Sequence, residues 1–358
     1  MNSNFKRFSV LALLLGFYAT VFAADVDTTI IKNTGFNDGF MRPFKENSSF
    51  WADTYPNFVR AAFPNATNSA DYDYDKTGAA RRNFIIADLG VQVPLWSGYF
   101  DNRKFGVALE LPFTIQTWMD MFQKSTAPLI NSGFMFGAPE ITFLHNLNKP
   151  FLGIKNYSVK WGPFMHECTH MGEELALFRL RENLAVNRVN PSYFFSDLEI
   201  TLNAIGDSPD ENHSFRFGWW AMYNYDWNWY QTFADECDES QVSKPSKNFN
   251  EYFAQYQYQT KAFFSNFQGI VSGEIRNKQR YIYPSYDLDN NGEWFAKQSK
   301  DERVWCYHFA TGIRYNNMKN TFFSRFGVAF ECYYGLNPYG QFRNQRDFLQ
   351  YGFSLIFE

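Results

Sequence analysis

The stretch most capable of chemistry is Trp161 to Glu174, which reads WGPFMHECTHMGEE. His166, Glu167 and His170 in it match H-E-x-x-H. On a helix, two His one turn apart share a face and can hold zinc, with the Glu as general base. Phe164, Cys168, Met171, Leu175 and Phe178 recur at helical spacing, and Pro163 suits a first turn. That reading is an exported zinc peptidase. A strand competes with it. Tyr157, Val159 and Trp161 alternate with Asn156, Ser158 and Lys160, and the phase runs on to His170. His166, Cys168 and His170 then point into an interior and Glu167 points away, where a base cannot activate a metal-bound water. The longer H-E-x-x-H-x-x-G-x-x-H form is absent, so no third ligand is signposted and zinc is not expected. On the strand, His166, His170 and Glu174 share a face near its outer end. They are the candidate catalytic set, able to bind a polar headgroup or to act as acid and base. The alternative is a hydrogen-bonded polar cluster at the rim. No Ser or Thr nucleophile can be singled out.

A second candidate is Asp287-Leu-Asp289-Asn-Asn291-Gly292, the first half of a calcium loop, whose carboxylates and turn glycine wrap the ion. The twelfth position is Gln298, not the bidentate Glu, so the match is partial and an Asn/Asp/Gly-rich connection explains it as well. Apart from this loop no cofactor is expected.

The elements that hold these residues are read from the end of the chain. In RDFLQYGFSLIFE (Arg346 to Glu358) the odd positions Leu349, Tyr351, Phe353, Leu355 and Phe357 are large and apolar, and the even ones are mostly small or polar. Period-two alternation makes this a strand with one apolar face. Similar alternation recurs about twelve times between Phe58 and the C-terminus, in segments near the length that crosses a bilayer when tilted. Connections alternate between short ones, near 97–103, 146–152, 206–212, 264–267 and 316–320, and long ones, the last at 335–345. Short periplasmic turns and long outer connections are the mark of outer-membrane barrels. The fold expected is therefore all-β: a closed antiparallel transmembrane barrel of about twelve strands. Aromatics make up 20% of residues, far above ordinary usage, and lipid-facing girdles would account for them. A soluble β-sandwich would alternate too, but would carry its charges on its outward faces.

The inward positions hold charges of both signs: Glu110, Lys160, Asp197, Glu199, Arg216, Lys261, Glu274, Arg276, Arg325 and Glu331, with Asp88, Glu140 and Arg314 beside them. Such a lumen is either wet or filled by paired charges. A net charge of −4 leaves no nucleic-acid footprint. After the N-terminus there is no run of 18 apolar residues. Lys6 and Arg7, the apolar run from Val10 and the small residues Ala23 and Ala24 read as a secretory signal over 1–24. Residues 25–55 read as a periplasmic lead-in and 56–358 as the barrel. Cys306 and Cys332 flank a turn but fall on opposite faces, so no bond is expected between them.

His170-Met-Gly172-Glu-Glu174, followed by Arg188-Val-Asn-Pro-Ser192-Tyr, resembles the pattern His-Leu-Gly-Asp-Glu, then Arg-x-Asn-x-Ser-Tyr, of a bacterial outer-membrane family known only as a domain of unknown function. Phe50-Trp-Ala-Asp53 and the stretch from Gly133 to Pro139 echo it. Glu167, Cys168 and Glu173 depart from it. The resemblance implies a barrel motif around His170, Gly172 and Glu174 and brings no activity. The expected role is a pore or a surface-exposed structural barrel. The alternative is an outer-membrane hydrolase acting on lipid or envelope substrates. The expected partners are outer-membrane lipid and, through the final strand, the barrel-assembly machinery.

Overall fold

A computed structural model describes residues 58–67, 81–101, 104–120, 129–172, 186–190, 192–205, 211–225, 228–232, 250–264, 266–280, 286–288, 294–296, 302–316, 325–339 and 346–357, with residues 175, 177, 181 and 342. The expected signal and lead-in, Glu174, Asp289 and Asn291 lie outside the described residues.

The strands in chain order are β1 (Phe58–Thr67), β2 (Arg81–Asn83), β3 (Ile85–Phe100), β4 (Phe105–Met119), β5 (Leu129–Gly137), β6 (Glu140–Phe151), β7 (Ile154–Met171), β8 (Val186–Asn190) and β9 (Ser192–Ile205). They continue as β10 (Asn212–Tyr225), β11 (Asn228–Thr232), β12 (Asn250–Gln259), β13 (Phe267–Arg280), β14 (Tyr286–Leu288), β15 (Trp294–Ala296), β16 (Glu302–Tyr315), β17 (Phe326–Gly335) and β18 (Phe348–Phe357). Main-sheet neighbours pair antiparallel, and β1 closes on β18 from Val59↔Phe357 to Ala66↔Gln350. Since β5 and β6 both lie between β4 and β7, they are two halves of one crossing, and the closed barrel has twelve. β8 with β11 and β14 with β15 form small separate sheets in the long connections; Asp287 of the calcium-loop motif lies on β14, opposite Phe295.

Burial alternates along each crossing. In β4 the even positions, including Glu110, Thr114 and Gln116, are buried, while Phe105 and Phe113 are exposed. The exposed face is apolar all round: Leu89, Phe143, Ile200, Phe217, Ile275, Phe309, Val328 and Phe353 are exposed on eight different strands. An apolar exterior around a polar interior, with every backbone edge paired by closure, belongs in a bilayer. The chain is a barrel of the bacterial outer membrane.

Two local features depart from plain alternation. Pro64, a residue that cannot donate to a ladder, sits within β1, which continues to Thr67. Pro64 faces Gly352, where an added Cβ would come within 2.6 Å of the Pro64 Cα, so glycine there admits the proline. The second concerns phase. Gly162↔Asp197 is followed by Met165↔Phe195, so β7 carries one more residue than β9. Glu110↔Glu140 and Phe113↔Phe136 show one extra residue on β5/β6 against β4. The two bulges lie side by side, joined by the Ala138 amide donating to the Phe164 carbonyl at 2.8 Å. Each resets the alternation of its strand. Below the bulge Ser158 and Lys160 face inward; above it Met165, Glu167 and Thr169 do.

Candidate functional site

The inward charges form a belt. On β1, the Arg60 guanidinium pairs with Asp88 of β3 and Glu331 of β17, its Nε donating to the Glu331 carboxylate at 3.1 Å. Glu331 also accepts from Ser354 on β18 and lies 3.5 Å from His308 Nε2 on β16. On β13, Arg276 Nε is 3.0 Å from Glu274, and its Nη1 is 3.6 Å from Glu251 on β12. Gln255 of β12 donates to Glu274 and accepts from Arg216 of β10 at 3.3 Å. Arg216 Nε lies 3.6 Å from Glu199 of β9. Lys160 of β7 closes on three carboxylates: Glu199 at 3.1 Å, Asp197 at 3.3 Å and Glu140 of β6 at 3.4 Å. Glu110 of β4 stands opposite Glu140. All of these side chains are buried. Charges can be buried in this way only when paired and hydrogen-bonded.

Of the expected lumen residues, Glu110, Lys160, Asp197, Glu199, Arg216, Glu274, Arg276 and Glu331 are inward and buried. Lys261 is not: β12 ends at Gln259, the Thr260 amide bonds Gly269 across a turn, and Lys261 is exposed. Arg325 is half-buried one residue before β17, at the inner end. Sequence reasoning missed Arg60, on a strand whose alternation was too short to weigh, and Glu251, at a strand start.

Toward the outer end the interior becomes apolar and aromatic. After β17 the chain turns inward instead of leaving the barrel. Tyr339 stacks on Trp118 of β4 at 4.5 Å between ring centroids, and Phe342 and Phe84 meet the same indole edge-on at 5.6 and 5.0 Å. The Tyr339 hydroxyl donates to Gln350 at 2.6 Å, the Tyr333 hydroxyl to the Leu336 carbonyl at 2.5 Å, and the Leu336 amide to the Cys306 sulfur at 3.3 Å. Leu336, Asn337, Tyr339 and Phe342 are almost fully buried. Nothing in the alternation pattern signals this inward fold, because it lies in a connection. Burial pushes the Tyr339 phenol well above its usual ionisation range.

The H-E-x-x-H stretch stands as strand β7, so the zincin helix does not form. The bulge also reverses the expected facing. Glu167 points inward, fully buried, and accepts from the Tyr193 hydroxyl. His166 and Cys168 are half-buried and His170 is exposed, all on the lipid-side face. The His166 ring stacks on Phe194 at 4.5 Å and meets Phe136 edge-on at 5.0 Å. His170 lies 6.2 Å from Phe134. Among the described residues no three His, Cys, Asp or Glu side chains are grouped to hold a metal. Cys306 is inward, Cys332 outward, and both thiols are free, as is Cys168.

No family model and no curated protein matches the chain. Among solved structures, the outer membrane phospholipase A of Escherichia coli superposes with a TM-score of 0.43 at 10% identity, covering 88% of this chain and 96% of that one. The transport unit of the autotransporter AIDA-I from Escherichia coli gives 0.41 at 12%, over 88% and 98%. LpxR from Salmonella typhimurium gives 0.37 at 11%, over 83% and 99%. Identities this low leave the site to be read from its own residues.

Proposed function

We propose that this chain is a closed outer-membrane barrel that works through its surfaces and not by passing solute: a surface-exposed structural barrel whose interior serves to hold it rigid. The supporting observation is the belt of paired charges from Asp88 round to Lys160, capped toward the outside by the buried Leu336, Tyr339 and Phe342. Ion pairs satisfied within the wall leave little free charge to attract a solute. The resemblance around His170 and Gly172 fits the same reading, as a motif of barrel structure.

The test is conductance in planar bilayers with the full, detergent-folded chain. The expected result is no stable conductance from the native barrel. Steady channels whose ion selectivity shifts on Arg216→Gln would overturn the proposal in favour of a pore.

A second reading, hydrolysis of lipid, is favoured by one observation. His166, Cys168 and His170 stand on the face that meets lipid, where ionisable groups are costly and usually functional.

A further inference from the structure

We propose that the outer face of β10, β12, β13 and β16 holds a binding site for a phosphorylated glycolipid of the outer leaflet, with Arg303 on the phosphate and exposed aromatic rings on the sugar. The inference goes beyond the closed-lumen reading and does not depend on it.

Three observations carry it. The first is a row set by register. Trp219 of β10 stands opposite Tyr252 of β12, Tyr252 opposite Asn277 of β13, and Asn277 opposite Trp305 of β16. Directly opposed residues share a face, here the lipid-side one. Trp219, Tyr252 and Trp305 are exposed, whereas Asn277 is 8% exposed. What lies over Asn277 is Arg303 of β16. Its Nη1 donates to the Asn277 Oδ1 at 2.9 Å and to the Asn250 carbonyl of β12 at 2.6 Å. The side chain thus reaches from β16 across β13 to β12, and its guanidinium carbon stands 5.5 Å from the Tyr252 ring centroid. The Trp219 indole is tied to the same asparagine, donating to Asn250 Oδ1 at 3.1 Å.

The second is an open charge. Both hydrogen bonds of Arg303 use one nitrogen, and both acceptors are neutral. Its Nε and Nη2 have no hydrogen bond among the described residues, and the exposed side chain meets no carboxylate there. Nε and Nη2 form the guanidinium edge that takes two oxygens of a phosphate. The interior arginines differ: Arg60, Arg216 and Arg276 each pair with a carboxylate. A fixed cation on a lipid-side face is costly and marks a functional site.

The third is the order of polarity along the strands. One row further in, Phe217, Ile275 and Tyr307 are exposed on the same face, and Phe215 and Phe309 follow in the next row. An amphiphile therefore meets a cation and polar-edged rings at the outer level and apolar side chains beneath. That is the order of a headgroup and its acyl chains. Trp and Tyr rings mark the membrane–water level, so the height of Arg303 follows from its neighbours in the row.

The same groups select among lipids. A guanidinium repels the ammonium of a zwitterionic headgroup. Trp and Tyr offer flat apolar faces with a polar edge, on which a hexose ring stacks and a glycerol headgroup gains little. A phosphate carried on a sugar satisfies both.

The test adds three lipids separately to the detergent-folded full chain and reads retained adducts by native mass spectrometry. The lipids are a bis-phosphorylated acylated diglucosamine, its dephosphorylated form, and phosphatidylglycerol. The expected result is one retained molecule of the first per barrel and much weaker retention of the other two. Arg303→Gln should weaken binding about 10- to 100-fold, the loss of a charge-assisted hydrogen bond. Arg303→Lys should recover only part of it, and Trp305→Leu should weaken the glycolipid without changing phosphatidylglycerol. Lys261→Gln, exposed at the inner end, should change nothing. Equal retention of the phosphorylated and dephosphorylated lipids overturns the proposal. So does phosphatidylglycerol held as well as the glycolipid, or native-like binding by Arg303→Gln. If Arg303→Gln is not heat-modifiable on gels and so has not folded, the two diglucosamine lipids on the native protein decide alone. No arm measures conductance, so failure here and failure of the closed-lumen reading are separable.

Discussion

Lys160→Met probes the belt where it is most demanding. The Lys160 side chain is 6% exposed, and its ammonium lies 3.1–3.4 Å from Glu199, Asp197 and Glu140. At an effective dielectric of about 20, a unit pair at this distance attracts by about 5 kcal/mol. Most of that is offset by the desolvation of the ions. Methionine fills a similar volume but takes from three buried carboxylates the cation they share, leaving Arg216, 3.6 Å from Glu199, beside them. Breaking a buried pair by removing one partner costs about 3–5 kcal/mol, and this site should fall in that range. The assay is urea unfolding in detergent micelles, followed by tryptophan fluorescence and by heat-modifiable migration. Glu140→Gln in the Lys160→Met background removes one stranded charge and keeps the volume, so it should recover at least about 1 kcal/mol of the loss. Lys160→Met within about 0.5 kcal/mol of native stability, or a double variant weaker than the single, would show that the charges are wet, and the filled lumen would fall with them.

Other outcomes follow from the same geometry. Gly172→Ala should cost several kcal/mol or prevent folding, because an added Cβ would stand 1.6 Å from the Leu129 carbonyl oxygen, whereas Gly273→Ala, whose added Cβ would stand 3.8 Å from the His308 carbonyl oxygen, should be close to neutral in the same unfolding assay. Trp118→Ala should lose about 3–5 kcal/mol, since the indole anchors Tyr339, Phe342 and Phe84. Tyr339 is held protonated by burial, so its contribution is complete below the ordinary phenol range near 10 and is lost as pH rises through its higher folded value. Alkaline titration of stability should accordingly show a shallower fall above pH 10 in Tyr339→Phe than in the native chain. A membrane-soluble maleimide should label Cys168 and Cys332 readily and Cys306 only after unfolding, which mass spectrometry of the peptides reads directly.

What could be read from residues alone was whatever repeats locally. Alternation along Phe105–Met119 or Phe348–Phe357 states which side chains share a face, and the sign of each face follows from its composition. Barrel class, crossing number and the inward position of Glu110, Lys160, Arg216 and Glu331 came from that rule. Facing beyond a bulge could not. The extra residues near Ala138 and Pro163 exist only relative to β4 and β9, so the phase that seemed to carry His166 inward was broken by partners far away in sequence. Partner choice within the belt had the same limit: Arg60 and Glu331 are 271 positions apart, and only closure of β1 on β18 brings them together. The inward placement of Leu336, Tyr339 and Phe342 has no periodic signal at all. Periodicity belongs to one strand, whereas register, closure and capping are relations between strands, and those were set by the tertiary structure.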